Sequence, residues 1–317
     1  MIVTPENMSF DSKKFSMILY GSPGVGKTTL ALSAPDPVLI DFDRGMSRVK
    51  AQHRKPAIFC NTYEEVLQDI QSPDIKDFQT IVVDTGGSFI SFLQDWAMRT
   101  NPAQNRQKNG AISLKGFGAV KTEFTRFTNY VKDTLNKNLI YVFHSQEQSD
   151  KDGNSQQRLM CEGAAKNIVW TPCDFGGYVQ MIGNQREVCF SPEQEFFAKG
   201  CHGILGHIRV PELGPNDLNN FIEKQIFDVA KANIAAEAEA YAPIKEQYDR
   251  VMETVRQMVE SITDAESALK VMNDVAALDH ASTSKKESSK MILDKAASLG
   301  LRYSKSAGGF IRDQKEG

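Results

Sequence analysis

The chain has 317 residues, 37 Lys and Arg against 40 Asp and Glu, and a formal net charge of −3. With 41% apolar and 24% charged residues it is long enough for about two domains, each with a core, and too apolar for wholesale disorder. No apolar run nears the roughly 18 residues of a membrane span. Residues 1–14 carry no apolar segment behind a basic start, so a cytoplasmic protein with no membrane partner is expected. As a total, the slight acidity argues against a generic polyanion binder.

In chain order, the first two thirds alternates short apolar runs with amphipathic stretches, the pattern of an α/β domain with a mainly parallel sheet. Strands are expected at Phe15–Tyr20, Val38–Phe42, Thr80–Asp84 and Leu139–Phe143, with helices over Lys27–Ala34, Tyr63–Gln71, Phe89–Arg99 and Val120–Asn136 between them. Runs at Gly177–Ile182, Glu187–Phe190 and Ile204–Arg209 read as a more antiparallel extension. The breaker cluster between Pro211 and Pro215 marks a boundary, giving an α/β domain over 1–214 and a helical C-terminal domain over 215–317. In the latter, Pro243 should start or kink a helix within 217–260. Thr263 to Glu266 reads as a capping box for a helix over Ala265–Leu278. A last helix, Ser284–Ser298, stops at Gly300.

Five widely spaced cysteines (Cys60, Cys161, Cys173, Cys189 and Cys201), none in a C-x-x-C pair, read as reduced, mostly buried thiols. A metal set of Cys189, Cys201, His202 and His207 can be written, but its spacing fits no common zinc pattern.

The strongest signal is Gly21-Ser22-Pro23-Gly24-Val25-Gly26-Lys27-Thr28, a complete G-x-x-x-x-G-K-[ST] followed by Thr29, with a strand entering and a helix leaving. Glycines let the backbone N–H groups curl around phosphate oxygens. Lys27 should reach the β- and γ-phosphates, and Thr28 should ligate Mg²⁺. Asp84 closes the run from Thr80 at the carboxyl edge of a strand, where an acid holds the magnesium. Asp84 to Gly87 also fits the D-x-x-G of GTPases, but no N-K-x-D guanine reader and no Arg-rich lid occur, which leaves an ATPase using ATP.

This ordered set resembles the RecA-like P-loop ATPases, and among them the phage nucleotide-binding proteins of the AAA family that include single-strand annealing proteins. The resemblance covers about residues 13–212. It rests on the P-loop, on the strand from Val38 through Asp41 and Asp43 to Gly45, on the Asp84 strand, and on the strand from Leu139 to His144 and Gln146. It implies a RecA-like core with a helical appendage, and Asp43 as the acid that orients the attacking water, one methylene shorter than the usual Glu and with Asp41 as competitor. It also implies His144 as γ-phosphate sensor, and a helix over Gly163–Asp174. Lys199 is the best match for a basic residue that reaches a neighbouring subunit's nucleotide.

Two nucleic-acid loops are implied as well. Arg99–Lys121 holds Arg99, Arg106, Lys108, Lys115 and Lys121 with no acid, and offers Phe117 for stacking, the composition of a mobile loop on a DNA backbone. Glu147–Gly163, with Arg158, is the weaker second loop. Net charge is therefore the wrong scale, because basic and acidic side chains balance over 1–214 and the deficit lies in 215–317. The expectation is a DNA-stimulated, Mg²⁺-dependent ATPase that binds single-stranded DNA and promotes annealing in recombination. It would be a ring- or filament-forming homo-oligomer, with a single-strand-binding protein as a further partner, in the host cytoplasm if phage-encoded. The alternatives are a helicase-loader or partition-type ATPase acting on a protein, or a non-hydrolysing nucleotide-dependent scaffold.

Overall fold

The computed structural model describes residues 13–149, 153–161 and 169–312. Parts of the expected Gly163–Asp174 helix and of the Glu147–Gly163 loop lie outside them. The described residues form two compact units, 13–233 and 234–312.

The first unit is built on one sheet. Its strands are β1 (Ser16–Gly21), β2 (Pro37–Asp41), β3 (Ala57–Ile58), β4 (Thr80–Asp84), β5 (Asn138–Ser149), β6 (Ser155–Leu159), β7 (Phe175–Ile182), β8 (Gln185–Cys189) and β9 (His207–Val210). The order is β3-β2-β4-β5-β1-β7-β8-β9, with β6 paired to the outer part of β5. All pairs from β3 through β7 are parallel, while β7-β8-β9 and β5-β6 are antiparallel. This is the RecA-like arrangement, with β5 inserted between the P-loop strand and the Asp84 strand. Strands β1, β2 and β4 and the first halves of β5 and β7 are buried, largely apolar runs, as parallel strands covered on both faces must be.

Helices α1 (Lys27–Ala31), α2 (Tyr63–Gln71), α3 (Gly86–Thr100), α4 (Pro102–Asn105) and α5 (Leu114–Asn129) connect these strands. Thr62 and Thr85 accept from Glu65 N and Ser88 N, which starts α2 and α3 where the apolar periodicity begins. Against the sheet, Tyr63, Phe89, Phe124, Phe127 and Tyr141 form one aromatic cluster with centroids 4.8–6.4 Å apart. Within it Tyr63 Oη donates to the buried carboxylate of Glu123 at 2.6 Å, and Arg126 donates to the same group.

The unit runs past the Pro211–Pro215 cluster to residue 233 rather than stopping at 214. Ile222, Ile226 and Phe227 are fully buried. Ile222 N donates to Ser33 Oγ, and the Phe227 ring lies 5.3 Å from Phe15. The breaker prolines mark a turn, and the burial beyond them decides the division.

In the second unit, the part of helix α6 (Asp228–Glu260, which contains Pro243) beyond residue 233, α7 (Ala265–Ala276), α8 (Ser284–Ser298) and a hairpin of β10 (Leu301–Ser304) and β11 (Gly309–Arg312) share a small core. Val251, Val255 and Val259, then Val271 and Val275, then Ile292 and Ala296 recur every four residues and face it. The capping box is Asp264 with Ser267 rather than Thr263 with Glu266, because Asp264 Oδ1 accepts from Ser267 N at 2.8 Å and Ser267 Oγ answers Asp264 N at 2.9 Å. No helix among the described residues is long and apolar enough to cross a membrane.

Candidate active site: a P-loop facing an acidic strand end

The P-loop leaves β1 at Gly21 and enters α1 at Lys27. Gly24 and Gly26 have φ of 83° and 87°, the left-handed region that glycine adopts without strain. The backbone reversal they allow brings Lys27 and Thr28 to the carboxyl ends of β4 and β5. Lys27 is only 5% exposed, and its Nζ donates to Ser22 O at 2.8 Å and lies 3.5 Å from His144 Nδ1. Burial lowers its pKa to about 8, with the Asp84 charge opposing. Burial, with Lys27 second, also lowers the pKa of His144.

Thr28 Oγ1 donates to Asp84 Oδ2 at 2.6 Å. Asp84, 8% exposed, is pushed up to about 6 by burial, reinforced by Asp43 and Asp41 and opposed by the Thr28 hydrogen bond and Lys27. The two acids at the end of β2 separate in role. Asp41 accepts from Gly45 N at 2.7 Å and Met46 N at 2.8 Å, so it is buried as the anchor of the following turn. Asp43 is half-buried beyond the strand and accepts from Ser88 Oγ at 2.5 Å.

A cavity of about 350 Å³ is lined by Pro23, Gly24, Gly26, Lys27, Thr28, Thr29, Arg48, Asp84 and His144. A second, of about 410 Å³, shares Gly24, Gly26, Thr29 and Arg48 with it and continues past Leu30, His53, Arg186, Val210, Asn219 and Phe221. Its wall contains His53, 4% exposed, whose Nδ1 has no hydrogen-bond partner among the described residues. Arg186 crosses from β8 and donates Nε to Val25 O at 2.6 Å, against the P-loop itself. Sequence reasoning missed Arg48, His53 and Arg186. The only local signal was the basic run from Arg44 to Arg54, and Arg186 is brought in by strand pairing alone.

Lys27, Thr28, Asp84 and His144 thus meet at one place, with Asp43 at its border. The nucleic-acid residues are arranged otherwise than expected. Arg99–Lys121 is not a mobile loop but the end of α3, the short α4, a turn closed by the Arg106–Ile112 bridge, and the start of α5. Its polar residues build this order: Asn101 and Ser113 cap α4 and α5, and Gln107 Nε2 donates to Ile112 O at 2.8 Å. Arg99 is paired with Glu64 at 3.0 Å, and Arg106 Nε donates to Gly110 O. Lys108, Lys115 and Lys121 are exposed, and Phe117 is half-buried. Arg158 lies on β6 opposite Gln146, with its guanidinium on Gln156 Oε1. Lys199 Nζ donates to Cys173 O at 2.5 Å, an internal tie.

The glycine-cradled loop, buried lysine, and threonine–aspartate pair at the strand ends define a P-loop nucleotide-binding domain of the ATPase type. The chain belongs to the AAA domain family, whose pattern matches residues 13–202. Among solved structures it is similar to a KaiC-like protein of the hyperthermophilic archaeon Pyrococcus horikoshii (12% identity, TM-score 0.34, covering 62% of this chain and 89% of that one). It is also similar to the flagellar accessory protein FlaH of Methanocaldococcus jannaschii (8% identity, TM-score 0.30, covering 55% and 75%). No curated protein matches the chain.

Proposed function

We propose that this chain binds ATP with Mg²⁺ and hydrolyses it, and that it does so on single-stranded DNA in an annealing or strand-pairing role. The nucleotide part is carried by the Thr28–Asp84 pair at 2.6 Å beside the buried Lys27. This is a hard oxygen-donor pair where P-loop proteins hold magnesium, so the residues fit the ion. Bound there, Mg²⁺ would neutralise charge on the phosphates.

The chain's own groups have separable tasks. P-loop amides and Lys27 bind the phosphates and stabilise the charge spread over the transferring group. Asp43, held by Ser88, orients the attacking water. His144 senses the terminal phosphate from beside Lys27. The adjoining cavity takes the nucleoside, with Leu30 and Phe221 as apolar walls and the unpaired His53 Nδ1 as a polar reader of the base or ribose.

Position supports the DNA part. Beyond His144, β5 continues as a polar strand paired with β6, and this ribbon carries Gln146, Gln148, Gln156 and Arg158 away from the nucleotide. Self-assembly into a ring or filament, with a single-strand-binding protein as companion, belongs to the same reading. The ordering of Arg99–Lys121 and the loss of Arg99 to Glu64 favour a second one, an ATPase that acts on a protein partner.

The test is the ATPase rate of wild type and Lys27→Ala with and without single-stranded oligonucleotide, beside a salt titration of DNA binding. Stimulation and a steep salt slope are expected. Turnover unchanged in Lys27→Ala refutes the ATPase site, and wild-type indifference to DNA selects the protein-partner reading.

A further inference from the structure

The antiparallel hairpin β8–β9 has two functional faces. Arg186 and Val210 are register partners, and both line the nucleoside cavity. Residues one position on point to the opposite face, and there Cys189 is the register partner of His207, with Glu187 two residues earlier on the same strand. The segment following β8 turns back, with Glu193 N donating to Phe196 O, and returns the Glu193 carboxylate to this face.

We infer that Cys189, Glu193 and His207 form a binding site for a zinc-class divalent cation. Their ligand atoms all lie within 4.8 Å of one another. Cys189 Sγ is 3.9 Å from Glu193 Oε1, and His207 Nε2 contacts that same carboxylate oxygen. Side-chain rotation closes such separations to the roughly 2.0–2.3 Å bonds of zinc to nitrogen, oxygen and sulfur.

Three observations point to a cation rather than an ordinary ion pair. Two carboxylates converge on a single imidazole beside a fully buried thiol whose Sγ lies 3.3 Å from Ser191 O, an excess of potential negative charge that, among the described residues, Arg209, at 3.7 Å from Glu187, partly offsets. Glu187 Oε2 holds His207 Nδ1 at 3.2 Å and so presents Nε2 to the other ligands, the carboxylate–histidine arrangement that supports metal-bound imidazoles. Cys189 and His207 also stand opposite each other on paired strands, which fixes their spacing before any ion arrives.

Sulfur, imidazole and carboxylate together select zinc over magnesium or calcium. Three protein ligands leave the fourth position to water. On binding, the Cys189 thiol releases its proton to solvent and the sulfur enters as thiolate. The set differs from the four residues written from sequence. Cys201 and His202 stand apart from it, and His202 Nε2 lies 3.0 Å from Lys13 Nζ.

The test uses the full chain, stripped of metal with chelator and kept free of nucleotide, titrated with cobalt(II) and, by equilibrium dialysis, with zinc. One zinc per chain is expected, with a thiolate-to-cobalt absorption band that zinc abolishes. Cys189→Ser should lose the band, and His207→Ala should lose saturable zinc binding. Glu187→Gln should weaken zinc by about 10–100-fold through the lost support of the imidazole. Tryptophan fluorescence reports that each variant is folded. Absence of the band in wild type overturns the site, as does a band retained in Cys189→Ser. Should that variant fail to fold, unchanged zinc affinity in both His207→Ala and Glu187→Gln overturns it equally.

Discussion

Replacing Asp84 by Asn should make the nucleotide-free protein more stable while removing its activity. Burial raises the carboxyl from its ordinary value of 3.8 to about 6. Each pH unit between those values is worth about 1.4 kcal/mol, so holding the ionised form in the fold costs about 3 kcal/mol at neutral pH. Asparagine keeps an oxygen for the Thr28 hydroxyl and carries no charge. Between the two pKa values the folded chain holds a proton that the unfolded chain has lost. Wild type therefore loses stability as pH rises through this window, and the variant does not. Below the window both side chains are neutral and the difference closes.

Urea denaturation in chelator reads the effect, followed by the fluorescence of Trp96 and Trp170, both in the first unit. The variant should gain up to about 3 kcal/mol near pH 8 and only a small fraction of that near pH 4, while Mg²⁺-dependent ATP hydrolysis disappears. A variant less stable than wild type near pH 8, or an equal gain near pH 4, refutes the argument that this carboxylate is held against its own solvation.

Other outcomes follow from the same geometry. Free-protein kcat/KM for ATP should rise with pH as Asp84 ionises near 6 and fall as Lys27 loses its proton near 8; a flat profile across both values would count against their roles. Asp43→Asn should leave nucleotide binding intact, by titration with a fluorescent analogue, and lower the hydrolysis rate; lost binding would assign the residue elsewhere. Gly26→Ala meets a left-handed φ worth about 1–2 kcal/mol of strain, and its Cβ would lie 3.0 Å from the Arg186 guanidinium, so nucleotide affinity should fall. Tyr63→Phe removes a donor from the buried Glu123 and should lower stability by about 1–3 kcal/mol in the same urea assay, with ATP affinity unchanged.

What was legible in the sequence was local. The P-loop is one uninterrupted string, and Thr80–Asp84 is a strand whose last residue is its functional one, so both were read with their boundaries. The residues that line the rest of the site were not, because pairing brings them in across long separations. Arg186 reaches Val25 only through the β7-β8-β9 extension, and His53 joins the cavity wall through burial. The basic stretch was misread for a different reason. Asn, Gln and Ser suit a solvated loop, yet here Asn101, Ser113 and Gln107 use their side chains to cap helices and close a turn, which composition does not distinguish.

The central position of β1 constrains how this molecule comes into being. The P-loop strand finds its two neighbours in β5 and β7, with hydrogen bonds at its start spanning 123 and 158 residues. Such pairing is slow because long stretches of chain must close before any contact is gained. During synthesis the loop emerges early but lacks its flanking strands until residue 182 has left the ribosome, and it lacks Arg186 until slightly later. A nascent or truncated chain that ends before β7 therefore carries the whole phosphate-binding motif without a site. A nucleotide that binds only the finished fold would stabilise it by mass action, so ligand-dependent protection from proteolysis should appear abruptly, as a function of chain length, once β8 is present.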